Sequence, residues 1–268
     1  MDGQGVTVRS LLDRGVDANY PDSLGRTPLH FALQQGHDHI ARLSPDRGVD
    51  VNLSDGDGWT ALHHASWHDY DLIVGSLLDR GADANYRNKL GRTPLHFALQ
   101  QGHDHVVRLL LDRGVDVNLS DRDGCTALHY ALWHDYDLIV GSLLDRGADA
   151  NYPNNLGQTP LHFALQQGHD HVVRLLLDHG VDVNLSLSDG DGSTALHYAS
   201  WHGYDLIVRS LLDRGADANY PNKLGQTPLH FALRQGHDHV VRLLLDHGVD
   251  VNLSLSDGDG FTALHYAS

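Results

Sequence analysis

Histidine is the side chain best supplied for chemistry in this sequence, with 22 copies in 268 residues. An imidazole titrates near neutrality, moves protons and ligates metals, so the spacing of the copies decides what they can do. Eight close a recurring T-[PA]-L-H tetrapeptide, at His30, His63, His96, His129, His162, His197, His230 and His265. Eight more form four copies of H-D-H, at His37/His39, His103/His105, His169/His171 and His237/His239. A spacing of two at a helix start sends the rings apart, whereas a metal shared on one helix face takes the i, i+4 pair. No Cys or Glu stands beside them, so no metal ligand set is expected.

Carboxylates are the next candidates. The turns Asp55-Gly56-Asp57-Gly58, Asp189-Gly190-Asp191-Gly192 and Asp257-Gly258-Asp259-Gly260 share part of a calcium loop. Such a loop also needs a third carboxylate and a bidentate Glu, and the chain has no Glu at all. A hairpin turn is the simpler role. For covalent chemistry the one thiol is Cys125, whose counterparts in sister segments are Trp59, Ser193 and Phe261. Its surroundings are therefore not built around a thiol. No glycine-rich phosphate loop precedes a helix. The expectation is a protein that is not an enzyme and takes no cofactor.

The formal net charge of −16 argues against nucleic acid, whose affinity comes mostly from clustered Lys and Arg. Lys89 and Lys223 are the only lysines. No run of 18 apolar residues exists, and Met1-Asp2-Gly3-Gln4-Gly5 lacks both parts of a signal peptide. No membrane partner is expected. One cysteine excludes an internal disulfide framework and suits a reducing, cytoplasmic setting.

These residues recur because a unit recurs. The Gly before each tetrapeptide Thr falls at Gly25, Gly58, Gly91, Gly124, Gly157, Gly192, Gly225 and Gly260, in steps of 33 or 35 residues. Two unit types alternate, one with G-R-T-P-L-H-F-A-L-Q-Q-G-H-D-H, the other with D-G-C-T-A-L-H-Y-A-L-W-H-D-Y-D. Each parses into two short helices. Thr93 is placed to cap the first and Pro94 to take its first turn, where a missing N–H costs nothing. Leu95 and Ala98 make one apolar stripe, and Gly102 can take the positive φ that ends the helix. The second helix carries Val106, Val107, Leu109, Leu110 and Leu111 and stops at Gly114. Neither is long enough to hold alone, so each unit must bury its apolar face against neighbours.

The period, T-P-L-H, the G-H before the second helix, L-L-L-D-x-G-[AV]-D-[VA]-N and the D-G turn together resemble the ankyrin repeat. The resemblance covers essentially the whole chain. It implies an all-α solenoid of helix–turn–helix units joined by β-hairpin-like loops, read as one domain over 1–268. Full repeats start at 25, 58, 91, 124, 157, 192 and 225, with a half repeat over 6–24 and a truncated one over 260–268. It also implies that the tetrapeptide histidines bond locally and bridge neighbouring repeats.

The units depart from one another in places. Leu43-Ser44-Pro45 stands where sister units have three leucines, and Pro inside a helix costs roughly 3 kcal/mol, so a kink is expected there. Asp69 and Asp135 replace a turn glycine, kept at Gly203. Two 35-residue steps carry an added Leu-Ser in a turn.

Where copies differ, the fold leaves choice open. One such place is the hairpin tip, with Pro21-Asp22-Ser23, Arg87-Asn88-Lys89, Pro153-Asn154-Asn155, Lys223, and Arg122 against Gly56. The other is the residue before the tetrapeptide Thr: Arg26, Trp59, Arg92, Cys125, Gln158, Ser193, Gln226 and Phe261. The end of the first helix adds Trp67-His68, Trp133-His134 and Trp201-His202 from one unit type. The other contributes Gln34-Gln35, Gln100-Gln101, Gln166-Gln167 and Arg234-Gln235. In ankyrin repeats, the resemblance implies, these positions line a concave groove that contacts a protein or peptide. Trp and Arg are favoured interface anchors. A binding scaffold is therefore the first expectation. Two others stand beside it: head-to-tail self-association through the complementary half repeats, and metal or pH sensing through histidine.

Overall fold

The computed structural model describes residues 10–11, 13–36, 48–134, 136–184 and 191–251. The Pro45 kink, Asp135, the added Leu-Ser segments and the truncated repeat at 260–268 lie outside the described residues, as does much of the N-terminal half repeat. The chain divides into two compact units, Met1–His134 and Asp135–Ser268.

The first unit contains α1 (Pro28–Gln34), α2 (Ala61–Trp67), α3 (Asp71–Asp79), α4 (Pro94–Gln101), α5 (Asp104–Asp112) and α6 (Ala127–Trp133). The second contains α7 (Asp137–Asp145), α8 (Pro160–Gln167), α9 (Asp170–Asp178), α10 (Ala195–His202), α11 (Asp205–Asp213), α12 (Pro228–Gln235) and α13 (Asp238–Asp246). No helix among the described residues is long and apolar enough to cross a membrane. In the first unit α1, α2, α4 and α6 pack in sequence, with α3 against α5 as a second row. The second unit repeats the plan, α8–α10–α12 in one row and α7–α9–α11–α13 in the other. The cores follow the predicted stripes, with Leu95, Ala98, Val106, Val107 and Leu110 all buried. Among the described residues the hairpins form isolated antiparallel bridges between Ser54 and Thr60 and between Ser120 and Thr126.

Each first helix opens on a reciprocal cap. His96 Nδ1 accepts the Thr93 backbone N–H at 3.1 Å, and the Thr93 hydroxyl lies 2.8 Å from the same nitrogen. The other ring nitrogen, Nε2, reaches the Cys125 carbonyl of the next repeat at 3.2 Å. An acceptor at Nδ1 and a donor at Nε2 define the neutral Nε2–H tautomer. His30 and His63 in the first unit, and His197 in the second, make the same pair of bonds, to the Trp59, Arg92 and Gln226 carbonyls. The bridging role implied for these histidines is thus visible.

Two further ladders tie repeat to repeat. Asn52 and Asn85 accept the backbone N–H of Asp83 and Asp116, at 2.7 and 2.9 Å. Asn184 and Asn219 do so in the second unit for Asp217 and Asp250, both at 2.9 Å. At the tips, Gly56, Lys89 and Arg122 donate their N–H to the Leu24, Asp57 and Leu90 carbonyls, and Lys223 does so to Asp191. The acidic turn at 55–58 has a structural role, Asp55 Oδ1 accepting the N–H of Asp57 and Trp59, both at 2.9 Å, while those at 189–192 and 257–260 lie partly or wholly outside the described residues.

Asp69 adopts φ 61°, the left-handed conformation expected of its position, where Gly203 has φ 70°. Its carboxylate lies 3.7 Å from His103 Nδ1, an exposed pairing worth little. Asp69→Gly is therefore expected to stabilise the first unit by about 1 kcal/mol, through relief of the left-handed cost. Urea unfolding checks this, and a loss of stability would show that the His103 pairing outweighs the backbone strain.

Candidate functional site

The first helices end, and the residues before the capping threonines sit, on one side of each unit. In the first unit this side is an aromatic stack. The Trp59 ring lies 4.1 Å from that of Phe97 and 5.9 Å from that of Trp67, and Trp67 meets Phe97 edge-on at 5.6 Å. Phe97 is consequently 1% exposed, while both indoles are half-buried. His63 and His64 pack beneath, His64 with its ring 4.9 Å from Trp59 and its Nε2 3.4 Å from Asp55 Oδ2.

Beside the stack, Arg92 is held on several sides. Its Nε lies 3.6 Å from Asp121 Oδ2, its Nη1 donates to Gln100 Oε1 at 3.2 Å, and its guanidinium sits 5.8 Å from the Tyr130 ring centre. The Tyr130 hydroxyl donates to Asp121 Oδ2 at 2.8 Å, and burial with this bond pushes its pKa well above the usual phenol range. Arg26 is bound likewise, to Asp22 at 2.7 Å and Gln34 at 3.2 Å.

Around these, Lys89 and Arg122 stand exposed on the tips, Gln101 and His68 are exposed, and Cys125 and His134 are half-buried. The His68 ring stacks on Tyr70 at 5.5 Å, and partial burial lowers its pKa. Trp133 is 65% exposed. The three tryptophans at helix ends are therefore unequal: Trp67 and Trp201 are half covered and Trp133 is open.

The second unit arranges the same positions differently. Ser193 stands where Trp59 stands in the first unit, and it is buried, so it offers no surface of its own. Above it a concavity of about 380 Å³ opens, lined by Tyr198, Trp201, His202, Leu224, Gln226, Phe231, Arg234 and Asp191, among others. Trp201 meets Phe231 at 5.6 Å, as Trp67 meets Phe97, but no indole fills the remaining space. Five of the sequence-predicted residues, Ser193, Trp201, His202, Gln226 and Arg234, thus come together. Arg234 lies 5.6 Å from the Trp201 ring centre, and among the described residues it has no carboxylate partner. Gln158 accepts from Asn154 Nδ2 at 3.2 Å, Gln166 and Gln167 are exposed, and Lys223 is exposed on its tip.

Sequence reasoning passed over Phe97, Phe231 and Tyr198, which form the floor. It also passed over the tip leucines, Leu24, Leu90, Leu156 and Leu224, which are 59%, 48%, 73% and 50% exposed. An apolar residue inside each polar turn was the available signal. In two of the described H-D-H pairs the first histidine is structural, and His37 and His39 lie outside the described residues. His103 and His237 Nε2 each reach a backbone carbonyl of the preceding repeat, Trp67 and Trp201, at 2.9 Å.

A family model described as ankyrin repeats in three copies matches residues 1–88, 71–154, 135–222 and 206–268. Among solved structures 549 chains match. One is the crystal structure of the ankyrin repeat domain of Bcl-3, titled a unique member of the IkappaB protein family. It is 33% identical with a TM-score of 0.70, and the match covers 82% of this chain and 99% of that one. No curated protein matches the chain. Ankyrin repeats generally mediate protein–protein interaction and are typically non-catalytic. Capping Thr–His pairs, interlocked hairpins and family matches that together span every residue place this chain in the ankyrin-repeat family.

Proposed function

We propose that this protein is a non-catalytic scaffold that grips a protein or peptide on the face built from first-helix ends and hairpin tips. One observation carries the reading. In the second unit, positions that vary between repeats line a single aromatic concavity: Ser193 at its base, then Trp201, His202, Gln226 and Arg234. A fold needs no such opening for stability, because dispersion and burial favour closure, as Trp59 achieves over Phe97. Half-exposed Trp beside Arg is the composition of an interface hot spot.

The test is affinity capture with the wild-type chain and with a Trp67→Ala, Trp133→Ala, Trp201→Ala variant. A protein held by the wild type is expected to lose at least about tenfold in affinity for the variant, since interface Trp truncation costs about 2 kcal/mol or more. Circular dichroism verifies that the variant stays helical. A partner retained equally by both would remove this face from the binding surface.

A further inference from the structure

We propose that the second unit's concavity receives an extended acidic peptide segment, one large apolar side chain entering the cavity while a neighbouring carboxylate pairs with Arg234. The proposal rests on the groove reading and gives the occupant its chemistry. Two exchanges between equivalent positions create the site.

The first exchange opens the space. In the first unit Trp59 lies over Phe97, which is thereby sealed. Ser193 occupies the equivalent position and leaves Phe231 and the face of Trp201 accessible at a concavity of about 380 Å³. Tyr198 and the tip residue Leu224 complete an apolar lining, which gains from a side chain that removes it from water.

The second exchange frees a charge. Arg26 and Arg92, before the capping Thr, hydrogen-bond Gln34 and Gln100 eight residues later. Their charges are also met by Asp22 and Asp121. In the repeat of α12 the pair is inverted: Gln226 precedes the Thr and Arg234 takes the helix end. In this hairpin the Asp22 position is Asn222, and the guanidinium rests exposed on the Trp201 ring. Among the described residues it has no carboxylate partner, and an arginine so placed beside an open aromatic cavity is a place for a partner's acid. The other ionisable groups lining the cavity are Asp191, His202, His230 and Tyr198. Asp191 lies on the hairpin wall and Arg234 in the last turn of α12, so a carboxylate is favoured at the helix side.

The probe is a phage-displayed library of random dodecapeptides, selected in parallel on the wild-type chain, Arg234→Gln and Ser193→Trp. Both variants copy residues that the fold already accepts at equivalent positions, Gln100 and Trp59. Wild type is expected to enrich peptides with Asp or Glu next to an aromatic or large aliphatic residue. For a selected peptide made synthetically, changing the acid to its amide is expected to weaken binding about tenfold, and Arg234→Gln is expected to erase that difference. Ser193→Trp is expected to abolish enrichment. Enrichment without acids, or one that survives both variants, overturns the proposal, and so does no enrichment at all. A partner captured by the wild type and lost by the triple variant, with no acidic enrichment, would keep the groove reading and overturn only the acidic occupant.

Discussion

Between about pH 6.5 and pH 4 the first unit is expected to lose stability on the order of 2 kcal/mol for each of three histidines, His63, His64 and His96. All three are buried. Desolvation is the main cause that lowers their pKa values to about 4, from an ordinary 6.5. At His64 the neighbouring His30 charge adds to this, while Asp55 opposes it. A folded histidine that stays neutral and an unfolded one that charges mean the unfolded chain binds more protons. The stabilisation is whole above pH 6.5, falls as the pH drops below that value, and is exhausted near pH 4. His30 shifts in the same direction for the same reason.

Geometry supports the sign independently of any titration. Nδ1 of His63 and of His96 already accepts the Thr60 and Thr93 N–H, at 3.1 Å each, so a second proton there would face a donor. His64 supplies the control. The equivalent residue in the repeat of α6 is Tyr130, whose hydroxyl donates to Asp121 at 2.8 Å. His64→Tyr should therefore keep the contact to Asp55 and remove one of the three acid-sensitive groups. Hydrogen exchange of the amides in α2 and α4, followed from about pH 7 to about pH 4.5 after correction for intrinsic rates, reads the local opening energy. Protection that is flat over this range, or that falls as steeply in His64→Tyr, would contradict the account.

The same histidines show how much was legible beforehand. T-P-L-H carries its own partner three residues away, so the cap at Thr93 and His96 could be expected from local sequence. The turn at Gly102, with φ 77°, and the strained Asp69 were legible for the same reason. The groove was legible only as a set of positions. Trp67, Trp133 and Trp201 are copies of one letter at one spacing. Yet Trp67 is covered by Trp59 and Phe97, while Trp201 borders an opening. What separates them is the size of a residue eight places earlier combined with a phenylalanine in the next repeat, and no local pattern couples those two. The H-D-H histidines were opaque for a related reason. Their partners are backbone carbonyls of Trp67 and Trp201, which any residue could supply.

Gly58→Ala and Gly81→Ala should differ sharply in cost, although the two glycines share a φ of 81° and 80°. An alanine in the left-handed region carries about 1 kcal/mol of strain at either site. At Gly81 a new Cβ meets nothing within 4 Å, so that strain is the whole effect. At Gly58 it would lie 2.9 Å from the Lys89 backbone nitrogen and 3.2 Å from Asn88 Cα. Those atoms belong to the next hairpin and are backbone, with no rotamer to move aside. The hairpins must separate, and the Lys89 N–H to Asp57 carbonyl bond at 3.0 Å goes with them. Loss of that hydrogen bond adds about 1 kcal/mol, so Gly58→Ala is expected to cost roughly 2 kcal/mol in all. Trp59 follows Gly58 directly, so the indole over Phe97 should shift as well, and its fluorescence should move in Gly58→Ala but not in Gly81→Ala. Equal costs in urea unfolding for the two variants would mean that close approach between hairpins does not hold the repeats in register.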